Sequence, residues 1–421
     1  MLIKSSISLG HIPKRWRDVN VVFIPKAGKI NLDKAKDFRP ISLSSFFLKT
    51  AERLVDLEIR SKLDMQGISE SQHAYMKGKS TETALHDVVG NIEDSISRKE
   101  LALVAFLDIE GAFNNVTMEA ILESLDKQGI DNTLKRWIAN MLSSRIVSSQ
   151  LGSHNICRAT QRGTPQGGVI SPLLWVLVVN DLLKQLESKR ITSVAYADDV
   201  CVIIKGKFVN TLTDLMSSAL RFMKTWTSTR GLNINASKTE LVLFTTKRKI
   251  VADNQSINPV VVDGIQIPFS DQAKYLGILL DKKLTWKTNL EERIRKAQVA
   301  WYTCRKCIGK KWGINPAITR WIHITVVRPI LTYGAVVWWQ CLKKVTFAAK
   351  LSRLQRTVCI GITGAMRTTP TAALEVIVNL CPLDLFIKGI AAQSAMRLKT
   401  LGYFKERHWG HRTILAELKI E

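Results

Sequence analysis

The sequence predicts an α+β protein built on an antiparallel sheet. Three observations predict it. Residues 194–204 (Val-Ala-Tyr-Ala-Asp-Asp-Val-Cys-Val-Ile-Ile) put apolar, β-branched side chains on both sides of a small polar tip, the pattern of a strand, a tight turn and a returning strand. Residues 101–109 run seven apolar side chains into Asp108, as a buried strand does when it delivers one carboxylate at its end. Longer segments around these two, among them 46–62, 82–97 and 173–186, read as helices.

The two strand ends carry the chemistry. Asp198 and Asp199 stand side by side at the hairpin tip, and like charges that close repel unless a cation neutralises them. Alone, an Asp-Asp dipeptide is an ordinary solvated turn. With Asp108 at the end of a neighbouring strand, three carboxylates converge, and such a cluster suits a hard, oxygen-seeking dication such as Mg²⁺. Three carboxylates can hold two metal ions ~4 Å apart, the arrangement that serves in-line phosphoryl transfer.

Bulk properties bound what this cluster can belong to. A chain of 421 residues is too long for one simple core, so two or three subdomains are expected. Hydrophobic content of 46% and charged content of 23% are those of a globular protein and exclude general disorder. Lys and Arg number 61 against 36 Asp and Glu, a net +25, and a surface that basic attracts polyanions, nucleic acid first among them. The seven cysteines lie scattered in mostly apolar contexts, which reads as reduced thiols of an intracellular protein. Cys304 and Cys307 make a C-x-x-C with no second pair at zinc spacing, so it reads as coincidence on a helix surface. No signal peptide opens the sequence. The apolar stretch 318–339 is interrupted by Arg320, His323, Arg328 and Pro329, so no membrane partner is expected.

Tyr196-Ala197-Asp198-Asp199 resembles the catalytic box of reverse transcriptases, and Phe106-Leu107-Asp108-Ile109-Glu110-Gly111-Ala112-Phe113 resembles their first palm motif. With the further motifs below, residues 12–398 resemble the polymerase region of a jockey-like non-LTR retrotransposon. The resemblance implies a right-hand polymerase fold: fingers over 1–98, a palm over 99–284 with a fingers/palm loop region at 143–166, and a thumb and C-terminal helical region over 285–421. It implies RNA-directed DNA polymerase chemistry, in which dNTPs are added to the 3′-hydroxyl of a DNA primer on an RNA template by two-metal nucleotidyl transfer. The metal set it implies is Asp108, Ile109, Asp198 and Asp199, holding two Mg²⁺ ions for which Mn²⁺ can substitute. No other small-molecule cofactor is expected.

Taken in order, residues 12–29 read as a short strand, 19–24, ending in a turn with Pro25, Lys26, Gly28 and Lys29. Asp37-Phe38-Arg39-Pro40-Ile41 then precedes the helix at 46–62. In the family, a lysine after the first strand and the arginine of an R-P-I box clamp the incoming triphosphate. Lys26 and Arg39 match them, and a point charge beside a bidentate fork suits that task. Residues 72–81 resemble a Q-x-G-F-x-x-x-x-S-T box with Ala74 and Tyr75 in place of Gly and Phe, so a turn needing positive φ would be strained at Ala74. Ser80 and Thr81 either cap the following helix or reach the template.

Phe113, five residues past Asp108, matches the family's steric gate against a ribose 2′-hydroxyl; packing against Ala112 and Val116 would account for the ring equally well. Helices follow over 117–127 and 133–142. Residues 162–172 (Arg-Gly-Thr-Pro-Gln-Gly-Gly-Val-Ile-Ser-Pro) form a Gly-rich loop leading into the helix at 173–186, whose N-terminus would offer free N–H groups to an anion. By resemblance, Gln166 and Gly167 line the nucleotide pocket, and Tyr196 joins the substrate-binding set.

Beyond the hairpin, a helix over 208–227 ends at Gly231 and a strand covers 240–245. Lys238 lies between them and matches a family lysine near the leaving pyrophosphate; it would serve as general acid, unless it is a plain surface lysine. Residues 274–281 read as one strand of a hairpin, which in the family is the primer grip. The segment 285–312 reads as a basic amphipathic helix, and Arg293, Lys296 and Lys306 on it would track the duplex backbone as a thumb helix does.

No endonuclease segment precedes the first strand, and no Cys/His knuckle or RNase H acidic set follows the thumb. The sequence therefore reads as a piece of a longer element-encoded protein, nuclear with a cytoplasmic ribonucleoprotein stage. Two other functions stay open. One is an RNA-templated RNA polymerase on the same palm, against which Phe113 and the Tyr-Ala-Asp-Asp box speak. The other is a truncated relic that only binds nucleic acid, against which the intact carboxylate triad speaks.

Overall fold

A computed structural model describes residues 1–26, 31–34, 37–63, 67–143, 145–247, 257–262, 264–306 and 313–419. Gly28, Lys29, Cys307 and the last part of the basic segment, 307–312, lie outside the described residues. Two short helices, α1 (Leu2–Leu9) and α2 (Lys14–Arg17), lead into β1 (Asp18–Pro25), which pairs antiparallel with β2 (Phe38–Leu43). Helix α3 (Phe46–Lys62) starts at Ser45, whose hydroxyl accepts the Leu48 N–H. Helix α4 (Thr81–Ser97) starts where the Thr83 hydroxyl accepts the Ser80 N–H at 2.9 Å, so Ser80 serves the cap. After β3 (Leu101–Glu110) come α5 (Met118–Lys127) and α6 (Asn132–Leu142).

The region expected as a loop, 143–166, is largely a hairpin of β4 (Arg145–Leu151) and β5 (His154–Thr160), turning at Gly152 with φ +61. Strand β4 runs parallel to β1, which gives an N-terminal sheet in the order β2-β1-β4-β5. Gly152-Ser153, the two residues left between the paired Leu151 and His154, is the sequence feature that permits so tight a turn.

Helix α7 (Ser171–Ser188) then precedes the expected hairpin, β6 (Thr192–Tyr196) and β7 (Asp199–Gly206). Helix α8 (Val209–Thr229) and strands β8 (Asn233–Ile234) and β9 (Glu240–Phe244) follow. The central sheet has the order β6-β7-β3, with β8 and β9 both on the far side of β3, and every pair is antiparallel. Two small hairpins come next, β10 (Val260–Val262) with β11 (Ile265–Ile267) and β12 (Gln272–Tyr275) with β13 (Ile278–Asp281). Residues 274–281, expected as one strand, thus hold the whole turn of the second hairpin, because Leu276 and Gly277 both adopt positive φ.

The remainder is helical: α9 (Lys287–Arg305), α10 (Pro316–Ile322), α11 (Arg328–Thr332), α12 (Ala335–Trp338), α13 (Val345–Thr363), α14 (Thr371–Ile377), α15 (Leu383–Thr400) and α16 (Ile414–Glu417). Among the described residues no single helix is long and apolar enough to cross a membrane. Two segments bent by 51°, Pro316–Thr332 and Ala335–Lys343, match a span together by length and composition. Several of their apolar side chains, from Val327 to Leu342, are packed inside the protein.

Strand β3 explains why the sequence reads as continuously apolar. Leu101, Leu103, Ala105 and Leu107 enter one core with α3, α6, α7 and α8, whereas Ala102, Val104 and Phe106 enter a second with α4 and the C-terminal helices. Each large apolar side chain so buried stabilises the fold by about 1.5–3 kcal/mol relative to exposure. Helix α4 is enclosed from both sides. Its inner side lies on the sheet, and on its outer side Glu93 meets the ring of His411 at 2.8 Å, which in turn bonds His86 at 2.7 Å.

Candidate active site

The site forms where β3, β6 and β7 end together. Tyr196 and Asp199 pair across the hairpin, which leaves Ala197 and Asp198 as its two turn residues. Only Ala197 of the two has positive φ, +57, as at the first turn position of a type II′ hairpin, where glycine is usual. A side chain in that region costs about 1–2 kcal/mol. Two bonds hold the turn against this cost. The buried indole of Trp175 on α7 donates to the Ala197 carbonyl at 2.8 Å, and the Ile109 N–H donates to the Asp198 carbonyl at 3.1 Å. In an extended strand a residue's N–H and C=O point the same way, so the Ile109 carbonyl also faces the turn.

Asp108 lies directly opposite Asp199 in the β3–β7 register, so all three carboxylates share one end of the sheet. Burial, then Asp198 and Asp108, push the Asp199 carboxyl up to about 6 from the ordinary 3.8. Asp198 is also raised, chiefly by burial, with Lys238 and Arg39 drawing it back. Lys238 is the cation nearest the cluster: its Nζ lies 2.6 Å from Asp108 Oδ2 and 3.8 Å from Glu110. The hydrogen bond to Asp108 raises the Lys238 pKa and keeps it protonated. A 3₁₀ turn, Ala236–Lys238, delivers it; the preceding Asn235 donates its N–H to the Asp108 carbonyl at 3.3 Å and its amide to Glu110.

Among the described residues no group of three or more His, Cys, Asp or Glu side chains is arranged to hold a metal ion. The carboxylates are neighbours, but the Lys238 ammonium holds one oxygen of Asp108. The donor set itself fits a hard dication: all three are oxygen ligands, and two are pushed toward protonation by burial and mutual repulsion. This conflict predicts a measurable gain from removing it. Because the folded-state pKa of Asp199 is raised, stability is retained below about pH 4 and lost as pH rises through about 6. Asp199→Asn should therefore stabilise the metal-free protein at pH 7 by about 1–2 kcal/mol after solvent screening, and by nothing at pH 4. Urea midpoints in chelator at the two pH values test this; equal midpoints at pH 7 would mean the carboxylates do not oppose each other.

The other expected residues cluster around this end of the sheet to different degrees. Arg39 is exposed on β2, opposite Ile24, and its charge reaches Asp198. Lys26 is half-buried just beyond β1, and its N–H bonds the Asp37 carbonyl at 2.8 Å. The Gly-rich loop docks on β2 through the Gln166 carbonyl, which accepts the Ser42 N–H at 2.7 Å. Gly167 has φ +111, and a Cβ there would stand 2.9 Å from the Ser42 carbonyl, so only glycine lets the two backbones meet. The same loop fixes Phe113, whose carbonyl accepts the Thr164 N–H at 2.6 Å. The Phe113 ring is half-buried with its centroid 6.3 Å from that of Trp175, so one side packs and the other is open. Tyr196 is half-buried, and burial followed by Tyr333 raises its phenol.

Three expectations change. The N-terminus of α7 does not offer free N–H groups to an outside anion, because the buried carboxylate of Glu52 on α3 accepts the N–H groups of Val169 and Ile170. Burial raises the Glu52 pKa. The strained turn residue of the 72–81 box is Tyr75, with φ +58, rather than Ala74, and its half-exposed ring stands close enough to Asp198 to feel its charge. Arg293 does not face solvent: it is 6% exposed, and its guanidinium donates to the Gly277 carbonyl. On the same helix Lys296 pairs with Glu292 at 3.5 Å, and Lys306, which follows it, is exposed.

Sequence reasoning missed Trp175 and Glu52, which hold the Ala197 carbonyl and the Val169 and Ile170 N–H groups, and Tyr333, whose hydroxyl donates to the Leu276 carbonyl at 2.9 Å. It also missed Arg145, 4% exposed, which donates to the carbonyls of Arg162 and Gly163 and so anchors the Gly-rich loop. Burial lowers its pKa to about 10. For Glu52 a signal existed. The buried stripe of α3 is Leu48, Ala51, Glu52, Val55, Asp56 and Ile59, so an acid stood at a core position.

Comparison with known proteins gives three kinds of match. The family model described as reverse transcriptase (RNA-dependent DNA polymerase) matches residues 24–280. The chain is 26% identical over 420 residues to a putative 115 kDa protein in type-1 retrotransposable element R1DM of Drosophila melanogaster, covering 100% of this chain and 40% of that protein. It is 30% identical over 351 residues to the probable RNA-directed DNA polymerase from transposon X-element of the same species, covering 80% and 37%. It is 26% identical over 410 residues to the RNA-directed DNA polymerase from mobile element jockey, covering 94% and 43%. The chain thus spans less than half the length of each of these relatives. Among solved structures, apo telomerase from Candida tropicalis aligns over 92% of this chain and 67% of its own, with TM-score 0.45 and 10% identity.

Proposed function

The chain belongs to the reverse transcriptase (RNA-dependent DNA polymerase) family, and from that premise we propose that it is the polymerase region of a longer retrotransposon protein, copying RNA by adding dNTPs to a DNA primer. The observation that carries this reading is the shared sheet end: Asp108 paired with Asp199, and Asp198 on the adjoining strained turn. In the same reading residues 1–98 serve as fingers, 99–284 as palm and 285–421 as thumb and C-terminal region, and the protein acts in the nucleus after a cytoplasmic ribonucleoprotein stage.

Reverse transcriptases depend on divalent metal in general. Two Mg²⁺ ions held by Asp108, Asp198, Asp199 and the Ile109 carbonyl would lower the pKa of the primer 3′-hydroxyl and neutralise the leaving pyrophosphate. The chain's own groups divide the remaining work. Arg39 and Lys26 grip the triphosphate. Gln166 and Gly167 lie against the nascent base pair, Tyr196 lies beneath it and Phe113 faces the sugar. Lys238, which reaches Asp108 in the metal-free protein, gives a proton to the pyrophosphate as it leaves.

Primer extension by the purified chain on poly(rA)/oligo(dT) with Mg²⁺ tests the reading. The expected result is extension with dTTP and none with UTP. Extension with UTP would favour an RNA-templated RNA polymerase. A folded chain that binds the duplex but extends nothing would favour a nucleic-acid-binding relic.

A further inference from the structure

A cavity of about 600 Å³ opens beside α4, and the catalytic reading does not use it. Three stretches of chain wall it: residues 68–79, the side of α4 that carries His86, Asp87, Gly90 and Asn91, and residues 402–412. Side chains tie these walls together. The Lys79 ammonium donates to the Gln72 carbonyl at 2.8 Å and lies 5.5 Å from the centre of the Tyr403 ring. Arg412 donates to the Gly90 carbonyl at 3.3 Å and to the Asp94 carboxylate. The bonds from Glu93 to His411 and from His411 to His86 fasten the same C-terminal stretch to α4. A cavity braced at these points is a fixed space, and its volume lies within the roughly 300–1,000 Å³ of ligand sites.

Its charges are sorted by depth. Lys77 and Lys405 are exposed on different walls, and neither makes a hydrogen bond or ion pair among the described residues. Arg407, also exposed, reaches Asp94 at 3.8 Å. Deeper in, the lining is polar and partly acidic. Asp87 stands 3.5 Å from the His73 ring and accepts the Asn91 amide at 2.9 Å. Burial lowers the pKa of both His73 and His86, so neither adds a cation at neutral pH. Tyr403, half-buried, gives the wall an aromatic ring.

This order argues against a free phosphate or a nucleoside triphosphate, whose charge would have to enter past the cations and meet carboxylates. It suits a ligand that is neutral in the middle and anionic on either side, which describes one nucleotide of a single strand. Bases of unpaired RNA are held in this way, stacked on an aromatic ring with Lys and Arg on the backbone. The location fits as well. The Tyr75 ring feels the charge of Asp198, and the next two residues, Met76 and Lys77, line the cavity. One short stretch of chain thus joins the catalytic end to the cavity.

We propose that this cavity is an accessory site for single-stranded RNA. It takes one base against Tyr403, while Lys77 on one wall and Lys405 and Arg407 on the other hold the phosphates on either side. The RNA comes from the reverse transcriptase reading, but the site takes no part in nucleotide addition, so the two can fail separately.

The test titrates a short fluorescein-labelled oligo(U) with the wild-type chain, with the triple variant Lys77→Gln, Lys405→Gln, Arg407→Gln, and with Tyr403→Leu; circular dichroism checks each fold. The triple variant should weaken oligo(U) binding roughly tenfold or more and flatten its salt slope by about two units, at ~0.7 for each phosphate contact on a single strand. Tyr403→Leu should weaken it about tenfold and leave the slope unchanged, because the ring carries no charge. Oligo(U) containing 4-thiouridine should cross-link to residues 402–412 of the wild type. Affinity for a fully paired RNA–DNA duplex should be the same in all three proteins.

Wild-type oligo(U) affinity in the triple variant would overturn the proposal. So would an equal loss of duplex affinity, which would make these cations part of a general basic surface. Displacement of the cross-link by a free nucleoside triphosphate would give the cavity to a different ligand and overturn it too. If Tyr403→Leu does not fold, the triple variant, whose three side chains are exposed, decides together with the cross-link. A chain that extends no primer yet loses oligo(U) binding in the variants keeps this site and loses the reverse transcriptase reading. An active chain whose oligo(U) binding ignores the cavity loses only the site.

Discussion

Asp198→Asn is expected to leave a folded protein that binds template-primer duplex with unchanged affinity and extends it at no more than roughly a thousandth of the wild-type rate. The substitution keeps the shape of the side chain and removes its charge. The turn does not depend on that carboxylate, because the Trp175 and Ile109 donors both bond backbone carbonyls. What is lost is an oxygen ligand, and metal ligands supply several kcal/mol of transition-state stabilisation; about 4 kcal/mol corresponds to the thousandfold. Single-turnover extension with Mg²⁺, beside a duplex-binding titration, measures both halves. A variant that keeps more than about a tenth of the rate has lost only ~1.4 kcal/mol, too little for a metal ligand, and would sink the assignment.

Phe113→Val is expected to change which sugar is accepted rather than whether synthesis occurs. The ring packs one side on Trp175, and its backbone is anchored by Thr164. A shorter side chain therefore leaves the strand end in place and opens space beside Ala112. Steric discrimination of this kind is worth about one to two orders of magnitude, so the ratio of dNTP to NTP incorporation efficiency should fall by that amount. Because the ring is only half-buried, the stability cost should stay below the roughly 3–5 kcal/mol of a fully buried phenylalanine deletion. An unchanged ratio in a destabilised protein would make Phe113 a packing residue.

Much of the scaffold was legible because its signals are local. An apolar run ending in one acid, and two β-branched runs around Ala197-Asp198, each declare a strand and its end within a dozen residues. Asp108 and the Asp198-Asp199 pair followed from those patterns, and the register placed Asp108 against Asp199. The residues that hold these ends in place were not legible, because their partners are remote. Glu52 meets Val169 across 117 positions, and Tyr333 meets Leu276 across 57.

Arg293 shows a second reason. The helix it occupies was read for its charge, and a count of cations treats every lysine and arginine as facing water. The buried residues of α9 are Asn289, Leu290, Arg293, Ala297 and Trp301, which places Arg293 on the helical stripe that packs inward. Reading the stripe before the charge would have separated Arg293 from Lys296 and Lys306. The anion site expected at the start of α7 failed for a related reason: the N–H groups are there, but a carboxylate of the same chain already fills them.

The enclosure of α4 also bears on how the chain is made. Its inner side rests on strands finished by residue 206, whereas the residue that meets Glu93 on its outer side, His411, lies 318 positions further along. At about 5–20 residues per second, a ribosome needs roughly 16–64 s to deliver it. Once β7 is finished the three aspartates have all been made and can come together, while the helix behind them still has one flank bare. A nascent protein in this state holds a nearly finished catalytic end on an unfinished wall, the condition in which chaperones and aggregation compete for a chain. The solubility of that state therefore depends on His411 and its neighbours, far along the chain from the residues that touch the chemistry.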